Sequence, residues 1–179
     1  MIEKVIDWTW VEQEYQRIKF ELETIEPLYK WSISPKGILK TTHKTKYGMA
    51  DRQGNVHINQ AFINTTSYEL LEATIRHEFA HLCVGLQHGH DAVFKAKAQQ
   101  FEAHFRSINK SQHQQISNNI GHKYELYASF KDGEELLLKK VQRKHKKYTQ
   151  YKPTVFHYLT INGKKIVAFN YRDVVEKKF

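Results

Sequence analysis

The sequence predicts an α+β protein: helices plus a short antiparallel sheet over the first two thirds, then a small basic β module of two hairpins. Three observations predict this. Apolar residues recur at helical spacing over residues 10–26, 66–84 and 91–108, and short extended runs separate the first stretch from the second. Beyond residue 121 the pattern changes to four strand-like runs joined in pairs by turn residues. Charge divides at the same place. Residues 1–120 hold 14 Lys+Arg against 13 Asp+Glu, and residues 121–179 hold 14 against 6, so nearly all of the net +9 lies in the last third. The expected organisation is a domain over 1–110, a polar linker over 111–121 and the basic module over 122–179.

The elements follow in order. Val11, Tyr15, Ile18, Leu22 and Ile25 mark one face of the first helix; Thr9 with Glu12 forms a capping-box pattern at its start, and Pro27 closes it. Trp31-Ser32-Ile33 and Ile38-Leu39 flank a Pro35-Lys36-Gly37 turn, and Val56-His57-Ile58 follows a turn at residues 51–55. These runs make the antiparallel sheet, whose edge strand could hold an extended peptide by backbone pairing. Thr66 and Glu69 repeat the capping pattern and open a second helix to about Val84, which Gly85 and Gly89 break. A third helix runs from about Asp91 to Ile108, with Phe94, Ala98, Phe101 and Phe105 on one side. Residues 107–121 are rich in Ser, Gln and Asn and read as a linker or a frayed helix end. Residues 124–130 and 135–141 flank Lys131-Asp132-Gly133, and residues 154–161 and 165–171 flank Asn162-Gly163, a strong hairpin signal.

Composition narrows the class. The chain has 179 residues, 40% hydrophobic and 26% charged, as in an ordinary globular protein. A single cysteine, Cys83, excludes an internal disulfide framework and a zinc ribbon built on four cysteines. No apolar run is long enough to cross a bilayer, and the N-terminus carries no signal-peptide pattern. The expected location is the cytoplasm, with nucleoid association if the protein binds DNA, and the expected state is a monomer without membrane contact.

Within the second helix, Arg76-His77-Glu78-Phe79-Ala80-His81 contains the pattern H-E-x-x-H. Residues four apart are just over one turn away, so the His77 and His81 imidazoles leave nearly the same face and can converge on one ion. Glu78 lies about 100° around the helix from His77, close enough to take a proton from water beside the metal without ligating it. One Zn2+ suits this pattern, because zinc lowers the pKa of water towards ~7, within reach of a glutamate base. Leu70, Leu71, Ile75 and Leu82 make the helix a buried one, where polar side chains are costly unless a metal or partners satisfy them.

A catalytic zinc usually takes three protein ligands. His88 would suit the metzincin pattern, but Gly85 and His88 each fall one residue late, and with Met1 and Met49 as the only methionines no Met-turn can follow. Glu102 lies about 120° around the third helix from His90, at the rim of the phenylalanine stripe. His90 sits at the start of that stripe, after a glycine that lets the chain turn back. His90 is preferred, with Glu102 as the alternative.

The stretch 139–152 holds seven Lys/Arg and no acid. Lys139, Lys140, Arg143, Lys144, Lys146, Lys147 and Lys152 are candidate phosphate contacts, and Tyr148 and Tyr151 are candidates for stacking on unpaired bases. No residue there is a base-specific reader, so DNA binding is expected to be non-specific.

Three stretches carry a family likeness: Tyr47-Gly48-Met49-Ala50 with Val56-His57-Ile58-Asn59, His77-Glu78-Phe79-Ala80-His81, and Gly89-His90-Asp91-Ala92-Val93-Phe94-Lys95. Over residues 5–110 the chain resembles the SprT-like metallopeptidases, which include the Spartan DNA–protein crosslink proteases. The resemblance implies a small zincin-like metallopeptidase domain with the histidine at position 90 as third zinc ligand. It also implies proteolysis of DNA-bound proteins, a DNA-repair activity, with DNA as activator. Many SprT-like proteins end in a four-cysteine zinc ribbon; here a cysteine-free module stands in its place. The expected function is therefore a zinc endopeptidase acting on DNA-associated proteins. The alternative is a DNA-associated regulator or scaffold that keeps the zinc site with little peptidase activity.

Overall fold

Asp7 starts the first helix. In a computed structural model describing residues 4–174, its carboxylate accepts the Trp10 amide at 2.7 Å, and α1 runs over Trp8–Ile25. The aspartate takes the capping role expected of Thr9 because its carboxylate meets an orphan N–H and sits at the positive end of the helix dipole. Val11, Tyr15, Ile18 and Leu22 are buried along the expected face.

The described chain divides into two compact units, one ending at Ile120 and one beginning at Gly121. In the first unit, β1 (Gly37–Thr41), β2 (Gly48–Ala50) and β3 (Asn55–Asn59) form a sheet of order β1-β3-β2. The sheet is mixed rather than antiparallel: β2 pairs with β3 antiparallel, and β1 pairs with β3 parallel. The chain reverses over residues 42–47 and again over 51–55, so β3 runs in the direction of β1 and, lying beside it, must pair parallel. The second reversal is fixed by Asp51, whose carboxylate accepts the amides of Gln53 and Asn55 at 2.9 Å each. The first is held by the buried Asn59 amide, which donates to the carbonyls of His43 and Lys46 at 2.7 and 2.8 Å.

Helix α2 (Tyr68–Val84) packs on this sheet, and α3 (Ala92–Gln100) packs against α2. Residues 31–33, expected as a strand, instead close the end of α2: the amides of Ser32 and Ile33 donate to the carbonyls of Cys83 and Leu82 at 2.9 and 3.0 Å. Helix α3 is shorter than expected. It ends in a Schellman motif, with the Ala103 amide bonded to Ala98 O and the Glu102 amide to Gln99 O, and with Glu102 at φ 57°. The expected linker is also a helix, α4 (Lys110–Ile120). Ile116 is buried, Gln115 Oε1 accepts from the Ser67 hydroxyl at 2.7 Å, and Asn119 Nδ2 donates to Ala61 O at 2.9 Å.

Packing joins these helices. Trp31 lies between Phe79 and Phe101, with centroids 5.7 and 5.5 Å away, and Tyr15 packs on Phe79. Arg76, one residue before the metal motif and only 5% exposed, ties three segments together. Its guanidinium donates to Glu72 within α2, to both oxygens of Glu21 on α1 at 2.8 Å, and to Phe101 O just beyond α3 at 3.2 Å. A buried cation is tolerable here because each of the three guanidinium nitrogens meets an acceptor and two carboxylates balance the charge.

The second unit is one four-stranded antiparallel sheet. Its strands are β4 (Tyr124–Phe130), β5 (Glu135–Val141), β6 (Thr160–Ile161) and β7 (Lys164–Asp173), in the order β5-β4-β7-β6. Pairing of β4 with β7 merges the two expected hairpins. Ala128, Phe130 and Ile166 are the buried centre, packed with Leu138, Tyr151, Ile161 and Phe169. A short helix α5 (Lys146–Thr149) follows β5, and the expected strand at 154–161 shrinks to its last two residues. Among the described residues no helix is long and apolar enough to cross a membrane.

Candidate metal centre and cleft

His77 and His81 lie one turn apart on α2, as the spacing requires, and His90 reaches them from the turn after that helix. Two glycines make the return possible. Gly85 ends α2 at φ 95°, and Gly89 adopts φ 52°, ψ −123°, a region open essentially to glycine alone. His90 then enters just before α3, whose N-cap Asp91 accepts the Phe94 amide at 3.0 Å.

The three Nε2 atoms converge. His90 Nε2 lies 3.1 Å from His77 Nε2 and 3.2 Å from His81 Nε2. A ring nitrogen has one in-plane direction for a proton or lone pair, so a single hydrogen bond cannot serve both neighbours at once. A shared cation serves all three. For tetrahedral coordination at about 2.0–2.1 Å per nitrogen, neighbouring nitrogens stand about 3.3 Å apart, close to the spacing found. The group His77, His81 and His90 could therefore hold a metal ion. Glu102, the alternative ligand, is exposed beyond the end of α3 and outside this group, and His88 is bonded to Asp91 at 2.9 Å.

Aromatic rings brace the imidazoles. Phe94 stacks on His81 with centroids 4.1 Å apart and meets His77 edge-on at 4.8 Å, and Phe105 meets His77 edge-on at 5.3 Å. Burial, then the neighbouring imidazoles His81 and His90, lowers the His77 pKa from the ordinary 6.5 to about 4. Burial, then His90 and Lys46, lowers His81 to about 4 as well. Both rings are thus held in the neutral form that metal binding needs.

Glu78 turns from the same helix towards β2 and is 6% exposed. Burial lifts its pKa to about 7, against a hydrogen bond from the Ala50 backbone and the positive charge of Lys46, which both lower it. A carboxyl near 7 can both take and give a proton at neutral pH. Gly48 lets the strand come this close: a Cβ there would lie 2.8 Å from Thr74 Cγ2 and 3.2 Å from Glu78 Cγ. The histidines and Glu78 open onto a cleft of about 360 Å³ walled by residues 46–50 of the β2 edge, Thr74, Leu86 and Phe105. Lys46, Thr74, Leu86 and Phe105 carry no motif and were not found from the sequence; their place comes from tertiary packing.

The basic stretch is less uniform than its sequence. Lys139 and Lys140 alternate on β5, so their side chains leave opposite faces of the sheet. Lys140 pairs with Glu125 at 3.0 Å, whereas Lys139 lies over Tyr148. Lys144 lies 4.7 Å from the Tyr124 ring, Lys147 stands over Tyr148, and Arg143, Lys146 and Lys152 are exposed. Tyr148 is half-buried, edge-on to Phe169 at 4.9 Å. Tyr151, a candidate for stacking on bases, is half-buried and also braces the sheet: its hydroxyl accepts the Leu159 amide and donates to Ile166 O, at 2.9 and 3.2 Å. Those partners lie 8 and 15 residues ahead, which is why its role was not visible in the local sequence.

Comparison with curated proteins and with solved structures gives no significant match. A family model does match: the SprT-like family aligns with residues 10–118, which span the mixed sheet, the H-E-x-x-H helix and the His90 turn. That is more than half of the sequence, and the chain belongs to the SprT-like family.

Proposed function

We propose that this protein is a zinc-dependent endopeptidase of small zincin-like fold that cleaves DNA-associated proteins and is stimulated by DNA. The observation that carries the reading is the convergence of three imidazole nitrogens beside a buried glutamate in an open cleft. Membership of the SprT-like family supports the same metallopeptidase chemistry. A purely structural metal site has no need of a neighbouring base.

His77, His81 and His90 would hold the ion, with neutral rings fixed by Phe94 and Phe105. Bound there, zinc supplies a Lewis acid that polarises the scissile carbonyl and acidifies water. An extended substrate pairs its backbone with the free edge of β2, which lines the cleft. Glu78 accepts a proton from the attacking water as its oxygen adds to the carbonyl carbon. The same carboxyl then passes that proton to the amide nitrogen as the C–N bond breaks, leaving a carboxylate and an amine.

The DNA part rests on the second unit. Residues 139–165 hold nine Lys/Arg and no acid, which suits non-specific phosphate contact by a cytoplasmic, nucleoid-associated monomer. The test is cleavage of a loosely folded protein with and without DNA, comparing wild type with Glu78→Gln. DNA-stimulated cleavage that is lost in the variant supports the proposal. Equal inertness of both proteins, with metal retained, overturns it in favour of a regulatory role.

A further inference from the structure

The cleft offers a substrate one uncommitted charge. Among the residues that wall it, Lys46 alone carries an ammonium or guanidinium group. The neighbouring polar side chains are already engaged. Thr74 donates its hydroxyl to Leu70 O at 2.6 Å, the Tyr47 hydroxyl meets His113 Nδ1 at 3.3 Å, and the three imidazoles face one another. The Lys46 side chain is exposed, and among the described residues its ammonium has no hydrogen-bond or ion-pair partner. Its backbone is nevertheless fixed, because the Lys46 carbonyl accepts from the buried Asn59 amide at 2.8 Å.

Strand pairing places that charge relative to the chemistry. Tyr47 O accepts the Asn59 amide at 2.8 Å, and the Asp51 amide donates to Asn55 O at 3.0 Å. By the alternation of an antiparallel ladder, residues 47, 49 and 51 bond inward to β3, while 48 and 50 turn their backbone groups to the free edge. The Ala50 backbone is bonded to Glu78, so Gly48 is the residue with both groups left for a substrate strand. Gly48 is also where the strand comes close to the base, since a Cβ there would lie 3.2 Å from Glu78 Cγ. The bond to be cleaved therefore lies beside Gly48. Side chains two residues apart share one face of a strand, so Lys46 leaves on the Glu78 side, ~7 Å further along. Its field reaches that floor: burial is the larger influence on the Glu78 and His81 pKa values, and the Lys46 charge lowers both.

Direction follows from the pairing. An added strand is held slightly better antiparallel than parallel. Running antiparallel to β2, a substrate brings the residues after its scissile bond back towards Lys46 and carries those before it away past Ala50. We propose that Lys46 is a specificity-determining residue, whose ammonium receives a carboxylate one or two residues C-terminal to the bond cleaved. The inference rests on the endopeptidase reading above and deepens it by naming the substrate chemistry that the cleft selects. A polypeptide supplies that group in two ways, as an Asp or Glu side chain within the chain or as a free C-terminus.

The test starts from an amidated peptide that the metal-loaded full chain cleaves, with the cut bond located by mass spectrometry. Glu is compared with Gln at the two positions after that bond and at the two before it. Wild type should favour Glu after the bond by ~3- to 10-fold in kcat/KM, the range between an exposed ion pair and a charge-assisted hydrogen bond. The preference should shrink as salt rises. Lys46→Met should bring the ratio close to one, and Lys46→Glu should reverse it in favour of Lys. A peptide ending two residues past the bond, as free acid or amide, tests the chain terminus. A Lys46-dependent response to the side chain, the terminus or both supports the proposal and names the source. Binding gives a second readout: in Glu78→Gln, fluorescence anisotropy should show the same preference, lost when Lys46→Met is added. A ratio near one in wild type, a ratio that survives Lys46→Met, or a preference confined to positions before the bond overturns the proposal and leaves the peptidase reading intact. No cleavage of any peptide or protein by wild type overturns that reading and this inference together.

Discussion

The Phe94 ring lies flat on His81, with centroids 4.1 Å apart and 23° between the planes, and within 5 Å of the His77 and His90 rings as well. One phenylalanine thus touches all three candidate ligands. Metal-binding imidazoles are commonly oriented by hydrogen bonds from their second nitrogen. Here a buried ring on the first turn of α3 restricts their rotation by packing. Phe94→Leu keeps most of the volume and removes the flat face. Metal affinity, measured by competition with a chelator, should fall ~10- to 100-fold, as for loss of an orienting partner. The stability of the metal-free protein should change far less than the increment that metal adds. A loss of metal-free stability with unchanged metal affinity would show that Phe94 serves only the core.

The neutral imidazoles give the metal-free protein a defined acid response. His77 and His81 titrate at about 4 when folded and near 6.5 when unfolded. Between those values these two rings hold protons in the unfolded chain and not in the folded one, whereas Glu78, lifted to about 7, works the other way as a single group; the two histidines outweigh it, so stability rises with pH across the window and falls as pH drops from 6.5 to 4. Melting of chelator-treated protein should show this slope, and His77→Gln should flatten it. A profile that is flat between pH 4 and 6.5 in the wild type would contradict the burial of these rings.

Gly48 sets the distance between the strand that lines the cleft and the helix that carries Glu78. An added Cβ would meet Thr74 Cγ2 at 2.8 Å, His57 O at 3.1 Å and Glu78 Cγ at 3.2 Å. The strand carbonyl cannot give way, so the helix side chains must. In Gly48→Ala, kcat/KM should fall ~100-fold, since a displacement near 1 Å at a reacting group has that effect. Metal content should stay close to that of wild type. Gly37→Ala, in the same sheet with its nearest neighbour Asn55 Oδ1 at 3.7 Å, should retain activity. Equal activity of both variants with wild type would exclude strand spacing as a determinant.

The sequence and the structure agree best where chemistry is local. His77, Glu78 and His81 share one turn of helix, so their arrangement follows from the helical repeat alone. His90 was legible from the Gly85 and Gly89 breaks, which imply a return of the chain. The end of α3 was not, because its left-handed cap is Glu102 where glycine is usual, and nothing in the residue type marks the stop. The direction of β1 was hidden because two reversals of different length have to be counted before parallel pairing can be inferred. Helix α4 was hidden for another reason. Its sequence is polar, and its value lies in contacts with residues 42 to 58 positions away.

That last point has a direct test. The start of α2 is not capped by its own N-cap residue; Ser67 makes no side-chain cap. The Leu70 amide is instead satisfied by Gln112 Oε1 from α4 at 3.0 Å, while Gln112 Nε2 reaches Glu69 at 3.2 Å. A side chain 42 residues away thus does what a neighbouring Ser or Asp usually does. Gln112→Ala should destabilise the protein by ~0.5–2 kcal/mol, the usual effect of losing a helix cap. Gln114→Ala, which removes only an exposed contact with Asn118, should be near neutral. Thermal melts of the two variants decide the matter. If they are equally stable, α4 is a passive covering of the α2 start. If only Gln112→Ala melts early, and its metal affinity drops with it, α4 belongs to the machinery that holds the H-E-x-x-H helix in place.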